Sequence, residues 1–482
     1  MSSVTEGADL PATDHPPTDL PPTEVSVAEL PADDTPPRPE VRPPEVWRFA
    51  TPARHTLSNG IELLSYDIPG QYVISVRTVL PFPLSVEPRE VEGVASIMSR
   101  LLDEGTAEHS PEEFAELLER KGIALGASVT DGGLGVDLDV PKRRLGEALD
   151  LLRQALAEPV FPGPEVDRHR KTRLAQIEQE RALAPQRAAQ AFIATHFDET
   201  DRASRPTAGT TASITALTRQ DIVDFHAERV GPTGMTAVIA GDLSGLDVAD
   251  LAESTLGTWV SATHVPAAET IEPRRATDAA RVVFVDRPGS VQSELLVGWT
   301  GPDRHAPGGW AAYPVLGFMV GGSPNARIDA LLREEKGYTY GIRSVFRPRR
   351  VGGLFLTSGS VRADATVESV QLLLDLLASG RDGFRAEEVQ AGVDFISKTA
   401  PGRFATADAV ADEAVTMALD GLTTDFTTKT LEAMRELDGQ QLTAAYRDWV
   451  QGEWTVVIVG DASTYAEGVR ELGIGDVTVV PA

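Results

Sequence analysis

The sequence predicts an α+β fold built twice along one chain. Three observations lead to it. Alternating apolar runs bounded by turn residues mark strands, and between them lie segments whose apolar residues recur every three or four positions, the mark of helices. A helix followed by a β-branched strand occurs twice: "LTRQDIVDFHAERVGPTGMTAVIAGDL" begins at Leu217 and "LDGQQLTAAYRDWVQGEWTVVIVGDA" at Leu437, an offset of about 220 residues. A second helix also has a counterpart, "GVASIMSRLLDEGTA" at 93–107 and "GGSPNARIDALLREEKG" at 321–337, each with an apolar stripe and a terminal glycine. Two homologous units follow, 47–262 and 281–482, joined by a linker at 263–280. A chain of 482 residues has room for them.

Each element has a local cause. Residues 1–46 hold eleven prolines, ten acids and two arginines and lack an apolar period, so they predict a disordered acidic tail. Two β-rich runs flank "SNG" near residue 59, a hairpin signal, and "YVISVRTVLPFPLSV" reads as the next strand. Val94, Ile97, Met98, Leu101 and Leu102 then line one face of a helix that Gly105 ends. In "SPEEFAELLERKG", Ser110 is the N-cap, Pro111 takes N1, Glu113 closes a capping box and Gly122 terminates. "IALGASVTDGGLGVDLDV" predicts two strands joined at Asp131-Gly132-Gly133, and residues 142–157 and about 164–197 read as helices. In the second unit Ser323 is the expected cap and Pro324 the first helical residue, with Ile328, Leu331 and Leu332 facing the core. "YTYGIRSVF" alternates as a strand, which places Tyr338, Tyr340 and Ile342 on one face.

Composition excludes several classes of function. A net charge of −28 argues against nucleic acid, which rewards basic surfaces, and suits solubility. No run of about 18 apolar residues predicts a membrane span. The N-terminus lacks the basic and apolar regions of a secretion signal, and the absence of cysteine excludes disulfides and thiolate metal sites; both suit the cytoplasm. The eight histidines, at 15, 55, 109, 169, 196, 226, 264 and 305, form no H-x-x-x-H or H-x-x-E-H pair. No G-x-S-x-G elbow, P-loop or S-x-x-K motif is present.

The sharpest motif is "GGSPNARIDALLREEKGYTYGIRS". Read locally, Arg333 complements a helix dipole and the tyrosines are half-buried strand residues. The run R-E-E-K-G-Y-T-Y-G, however, resembles the C-terminal signature of the pitrilysin/insulinase family of zinc metallopeptidases, itself a tandem of two homologous α+β domains. The resemblance covers 47–482. It implies two mainly antiparallel sheets packed with helices, and it implies that Arg333 and Tyr340 are an arginine/tyrosine pair that contacts substrate bound at zinc in an opposing domain.

The same resemblance explains the 93–107 helix. The family carries G-x-A-H-x-x-E-H-x-x-x-x-G-T there. Gly93, Ala95, Gly105 and Thr106 hold the frame, but Ser96, Ser99 and Arg100 stand where the two histidines and the glutamate would be. The family's third ligand, a glutamate about 75 residues on, corresponds to Gln176, with Glu178 and Glu180 close enough to leave the register open. A hydroxyl, a cation and an amide do not replace imidazoles and carboxylates as zinc ligands. The expectation is therefore no cofactor in this chain, which would be inactive alone. The family includes two-chain enzymes that divide these motifs between subunits, which implies an H-x-x-E-H partner holding zinc and a peptide substrate, without nucleic acid or membrane. The alternative is a non-catalytic scaffold or peptide-binding relative of the same family.

Overall fold

The computed structural model describes residues 46–261 and 269–481. The expected tail, but for Val46, and residues 263–268 of the linker lie outside the described residues.

Among the described residues twelve strands form two six-stranded mixed sheets of closely matching order. The first comprises β1 (Ala53–Thr56), β2 (Glu62–Asp67), β3 (Val73–Pro81), β4 (Ala124–Thr130), β5 (Gly133–Pro141) and β6 (Thr236–Gly241), in the order β1-β2-β6-β3-β5-β4. The second comprises β7 (Val282–Asp286), β8 (Gln292–Gly301), β9 (Arg343–Pro348), β10 (Gly353–Arg362), β11 (Thr455–Gly460) and β12 (Val477–Pro481), in the order β12-β7-β11-β8-β10-β9. The repeated strands "TAVIAG" and "TVVIVG" are β6 and β11, at the same place in their sheets. β6 runs parallel to β2, and β7 runs parallel to both β11 and β12; every other pairing is antiparallel. Two strands are left as edges beside the motifs: β4 in the first sheet and β9 in the second.

The helix α1 (Val94–Ser99) is shorter than its apolar stripe predicts. Leu101 and Leu102 are buried as expected, but the backbone tightens there into bonds three residues back, Leu101 N to Met98 O and Glu104 N to Leu101 O, before Gly105 at φ +96° turns the chain. The helix α2 (Pro111–Lys121) has the predicted cap in full: Ser110 Oγ accepts from Glu113 N, Glu113 accepts from Ser110 N, and Gly122 closes it at φ +66°. After α3 (Leu145–Ala157), the single long helix expected near 164–197 is two, α4 (Gly163–Ala182) and α5 (Ala184–His196). Pro185 has no N–H to bond back and its ring clashes with a preceding helical turn, so it is accommodated in the first turn of a new helix, with Leu183 extended before it at φ −94°, ψ 117°. The helices α6 (Thr211–Ala216) and α7 (Arg219–Arg229) lead into β6.

One apolar core lies between each sheet and its own helices. The opposite faces are covered reciprocally. Ala407, Val410, Ala411, Ala414 and Met417 of the helix Ala407–Leu419 close over Leu64, Tyr66, Val238 and Ala240 of the first sheet. Ala188, Ala191 and Phe192 of α5 close over Val283, Val285, Leu296, Val457 and Val459 of the second. Each half of the sequence supplies the lid of the other half's sheet.

Candidate functional site

The frame at α1 is built from buried charge. Gly93, at φ +96°, starts the helix, and a Cβ there would meet the backbone of Ala208 and Gly209 at 2.9 Å. Its N–H and that of Ala95 both donate to Glu87 Oε1 at 3.1 Å. A carboxylate at a helix N-terminus meets unpaired N–H groups and the positive end of the dipole. Burial raises the Glu87 pKa, opposed by the Arg202 guanidinium, whose Nε donates to Glu87 Oε2 at 2.8 Å. Arg205 grips Glu92 with two bonds of 2.6 and 2.7 Å.

On that frame Ser96 and Ser99 are buried, and the Ser99 hydroxyl donates to the Ser96 carbonyl at 3.0 Å. Arg100 caps the helix, and its Nη1 donates to Gln176 Oε1 of α4 at 3.0 Å. Glu178 pairs instead with Arg181, and Glu180 with Arg173, so Gln176 is the residue of the three that meets Arg100. This set does not fit zinc. One of its two hydroxyls is engaged by the backbone, and a guanidinium holds the amide that would have to turn toward a metal. Among the described residues no group of three His, Asp or Glu side chains can hold a metal ion. A cavity beside Ser99, lined by Leu102, Leu125, Ala127 and Leu156, encloses only about 10 Å³, room for one water at most.

Four of the histidines are held by structural contacts. His226 Nε2 meets Leu156 O at 2.8 Å, His305 Nε2 meets Asp420 O at 2.8 Å, and His169 meets Glu104 at 2.9 Å. His196 is fully buried in α5 and is treated below.

The second-unit motif differs in detail from its prediction. Ser323 is extended (φ −141°, ψ 160°) and Ser323–Ala326 form a turn, closed by Ala326 N to Ser323 O at 3.0 Å. The helix starts at Arg327 without a side-chain cap. Tertiary contacts hold its start instead: Arg327 makes two 2.9 Å bonds to Glu388 and lies over the Phe384 ring. From Ala330 to Glu335 it is π-helical, a form that recurs at functional sites. Ile328 and Leu332 are buried and Leu331 half-buried, and Gly337 at φ +66° breaks the helix.

The predicted strand begins only at Arg343, so Tyr338, Tyr340 and Ile342 do not share a face. Tyr338 donates to Glu368 at 2.7 Å, Ile342 is fully buried, and Tyr340 is 93% exposed. The loop that presents Tyr340 is braced on both sides. The buried Asp329 accepts from Ile342 N at 2.9 Å and from Arg343 Nη1 at 2.8 Å, and Thr339 Oγ1 donates to Ser360 O at 2.7 Å. Asp329 is a positioning residue that the sequence reading passed over; its signal, an acid on the apolar stripe between Ile328 and Leu332, was present. Arg333 is partly exposed, with Glu334 as a loose partner at 3.4 Å. Among the described residues no hydrogen bond or ion pair joins Arg333 and Tyr340, nor either of them to Ser96, Ser99, Arg100 or Gln176. Tyr340 offers its phenol outward three residues before β9, and Arg333 offers a partly exposed guanidinium from the helix that precedes it.

The family model described as insulinase (peptidase family M16) matches residues 85–211, and that of the peptidase M16 inactive domain matches 216–394. An uncharacterized zinc protease of Mycobacterium tuberculosis is 24% identical over 344 residues, covering 70% of this chain and 76% of that protein. A non-peptidase homolog of Helicobacter pylori is 23% identical over 260 residues, 54% of this chain and 58% of its own length. In three dimensions the peptidase M16 inactive domain of Pseudomonas fluorescens superposes with a TM-score of 0.78 at 21% identity, covering 85% of this chain and 98% of that one. A Helicobacter pylori protease gives 0.76 at 16% identity, covering 86% and 100%. With both of the family's domain models matched in order along one chain, the protein belongs to the insulinase family, peptidase family M16.

Proposed function

We propose that this chain is the non-zinc-binding subunit of a heterodimeric metallopeptidase that hydrolyses unstructured peptides. The observation that carries the reading is the contrast between the two motifs. The metal positions are closed by the Arg100–Gln176 bond, whereas Arg333 and Tyr340 are both retained, Arg333 partly exposed and Tyr340 exposed on a loop that Asp329 braces. A scaffold has no need of such a pair. A homologous H-x-x-E-H partner would hold the zinc, its water and the glutamate base. Arg333 and Tyr340 would donate hydrogen bonds to the substrate carbonyl oxygen as it becomes an oxyanion, where preorganised donors are most effective. Peptide in extended form would lie along a sheet edge, main chain to main chain.

Cleavage of a quenched unstructured peptide tests this, measured with this chain, with an H-x-x-E-H homologue from the same genome, and with the two mixed. The expected result is turnover in the mixture alone, abolished by a zinc chelator. A homologue that is fully active by itself and unchanged on mixing would leave this chain a scaffold or a peptide-binding relative.

A further inference from the structure

Residues 336–362 carry Lys336, Arg343, Arg347, Arg349, Arg350 and Arg362 and not one acid, in a chain whose net charge is −28. This stretch is the loop of Tyr340 together with the β9–β10 hairpin. We propose that the hairpin binds acidic peptides in extended form along β9, and so selects acidic substrates for the site proposed above, a reading on which this one rests.

The edge is available. Among the described residues β9 pairs with β10 alone, so the backbone donors and acceptors of its other side face away from the sheet, a template for a further strand. Ser344 and Phe346 point inward and are buried, whereas Arg343, Val345 and Arg347 are exposed and share the other face. A peptide entering along β9 begins at Tyr340, three residues before Arg343.

The charge is only partly spent within the chain. Arg343 pairs with Asp329 at 2.8 Å, Arg349 with Asp131 at 2.7 Å, Arg362 with Asp364 at 2.6 Å and Lys336 with Glu368 at 3.3 Å. Arg347 and Arg350 have no ion pair with another described residue, and Arg333 has only Glu334. Edge strands do carry charge simply to prevent pairing between copies. That duty is met by either sign, and with 72 acids against 44 bases in the chain an acid-free run of this length is not what it requires. The edge at the matching place in the first sheet, β4, reads "ALGASVT" and bears no charge, so the fold itself does not demand it. The net negative charge repels acidic peptides at long range, but screening over about 8 Å at physiological salt leaves the contacts at β9 to decide.

Fluorescence anisotropy of labelled peptides on the full chain, without a partner, tests the proposal. A peptide of alternating Glu and Thr should bind about 5- to 10-fold more tightly than its Gln–Thr counterpart at low salt, the scale of two exposed ion pairs, and the gap should close as salt rises. R347Q/R350Q should remove the gap without moving the thermal midpoint. Equal binding of the two peptides, or a preference that survives in R347Q/R350Q, would overturn the proposal. So would sedimentation showing a dimer that R347Q/R350Q dissociates, because β9 would then pair with a copy of this chain. The assay needs neither zinc nor partner, so a negative result in the mixing experiment with the acidic preference intact would fail the peptidase reading alone.

Discussion

Among the described residues nothing holds the Tyr340 hydroxyl, and at 93% exposure the side chain adds little to folding. Tyr340→Phe therefore removes one donor and leaves the loop braced by Asp329 and Thr339. In the proposed heterodimer the expected effect is a kcat lower by about 10²–10³-fold, the scale of one lost oxyanion contact, with thermal midpoint and subunit association unchanged. A mutant complex that turns over like the wild type would remove Tyr340 from the chemistry. At this scale the sequence was informative where neighbouring residues set the local structure, as in the Gly337 break that ends the helix after R-E-E-K. It was silent where residues meet across the fold. Glu87 reaches α1 from six residues upstream, outside any capping-box spacing, and its partner Arg202 lies 115 residues on. The register of Gln176 against Glu178 and Glu180 is a matter of which one faces Arg100, and that needed the packing of α1 on α4.

Elements were legible in proportion to how local their causes are. The capping box of α2, the glycine turn between β4 and β5 and the twin strands β6 and β11 each follow from adjacent residues. The start of the Arg327 helix does not. Gly321 lets the backbone pass so close to Ser344 that a Cβ would lie 2.7 Å from its nitrogen, and the chain must turn through Ser323 and Pro324 before it can wind again. The helix α5 was predicted as helix, but its end hides a titrating group. Thr455 Oγ1 donates to Ala279 O at 2.8 Å, so it accepts from His196 Nδ1 at 3.0 Å, which assigns the proton to Nδ1. Phe192 stacks on the ring at 5.1 Å, Trp299 meets it edge-on, and Nε2 has no partner among the described residues. Burial, helped by the charges of Arg275 and Arg349, lowers the His196 pKa from 6.5 to about 4. The unfolded chain thus binds a proton that the folded one refuses. Stability present above pH 6.5 is lost as pH falls toward 4, by up to about 3 kcal/mol. Urea midpoints of wild type and His196→Gln, compared across that window, should diverge, the wild type falling faster. Parallel curves would show that the ring does not contribute.

The reciprocal lids give the whole molecule a property that neither half has. Without Ala407–Leu419 the first sheet would expose Leu64, Tyr66, Val238 and Ala240, and it would strand Arg77. This buried arginine of β3 sits 2.7 Å from Asp412 of that helix, with Asp139 at 3.1 Å and Asp137 at 3.5 Å. Without α5 the second sheet would expose Val283, Val285, Leu296, Val457 and Val459. An apolar face of that size is not stable in water, and a buried guanidinium that loses a partner costs about 1–3 kcal/mol. The halves 47–262 and 281–482, which the repeat suggests as units, are therefore expected not to fold separately. The repeat in the sequence shows where each copy lies; it does not show that each copy's outer sheet face is closed by the other, because the lid residues are ordinary apolar residues, mostly alanines, at helical spacing. Two outcomes separate the possibilities. Calorimetry of the full chain should give one transition, and the two fragments should be insoluble alone but soluble when co-expressed. Two independent transitions, or a soluble and cooperatively folded 47–262 fragment, would show that the lids are dispensable. Cooperativity of this kind also bears on the proposed assembly. A chain that unfolds as one body presents Arg333 and Tyr340 at one fixed place relative to the first sheet, so that a partner docking on either half would find the pair already in position.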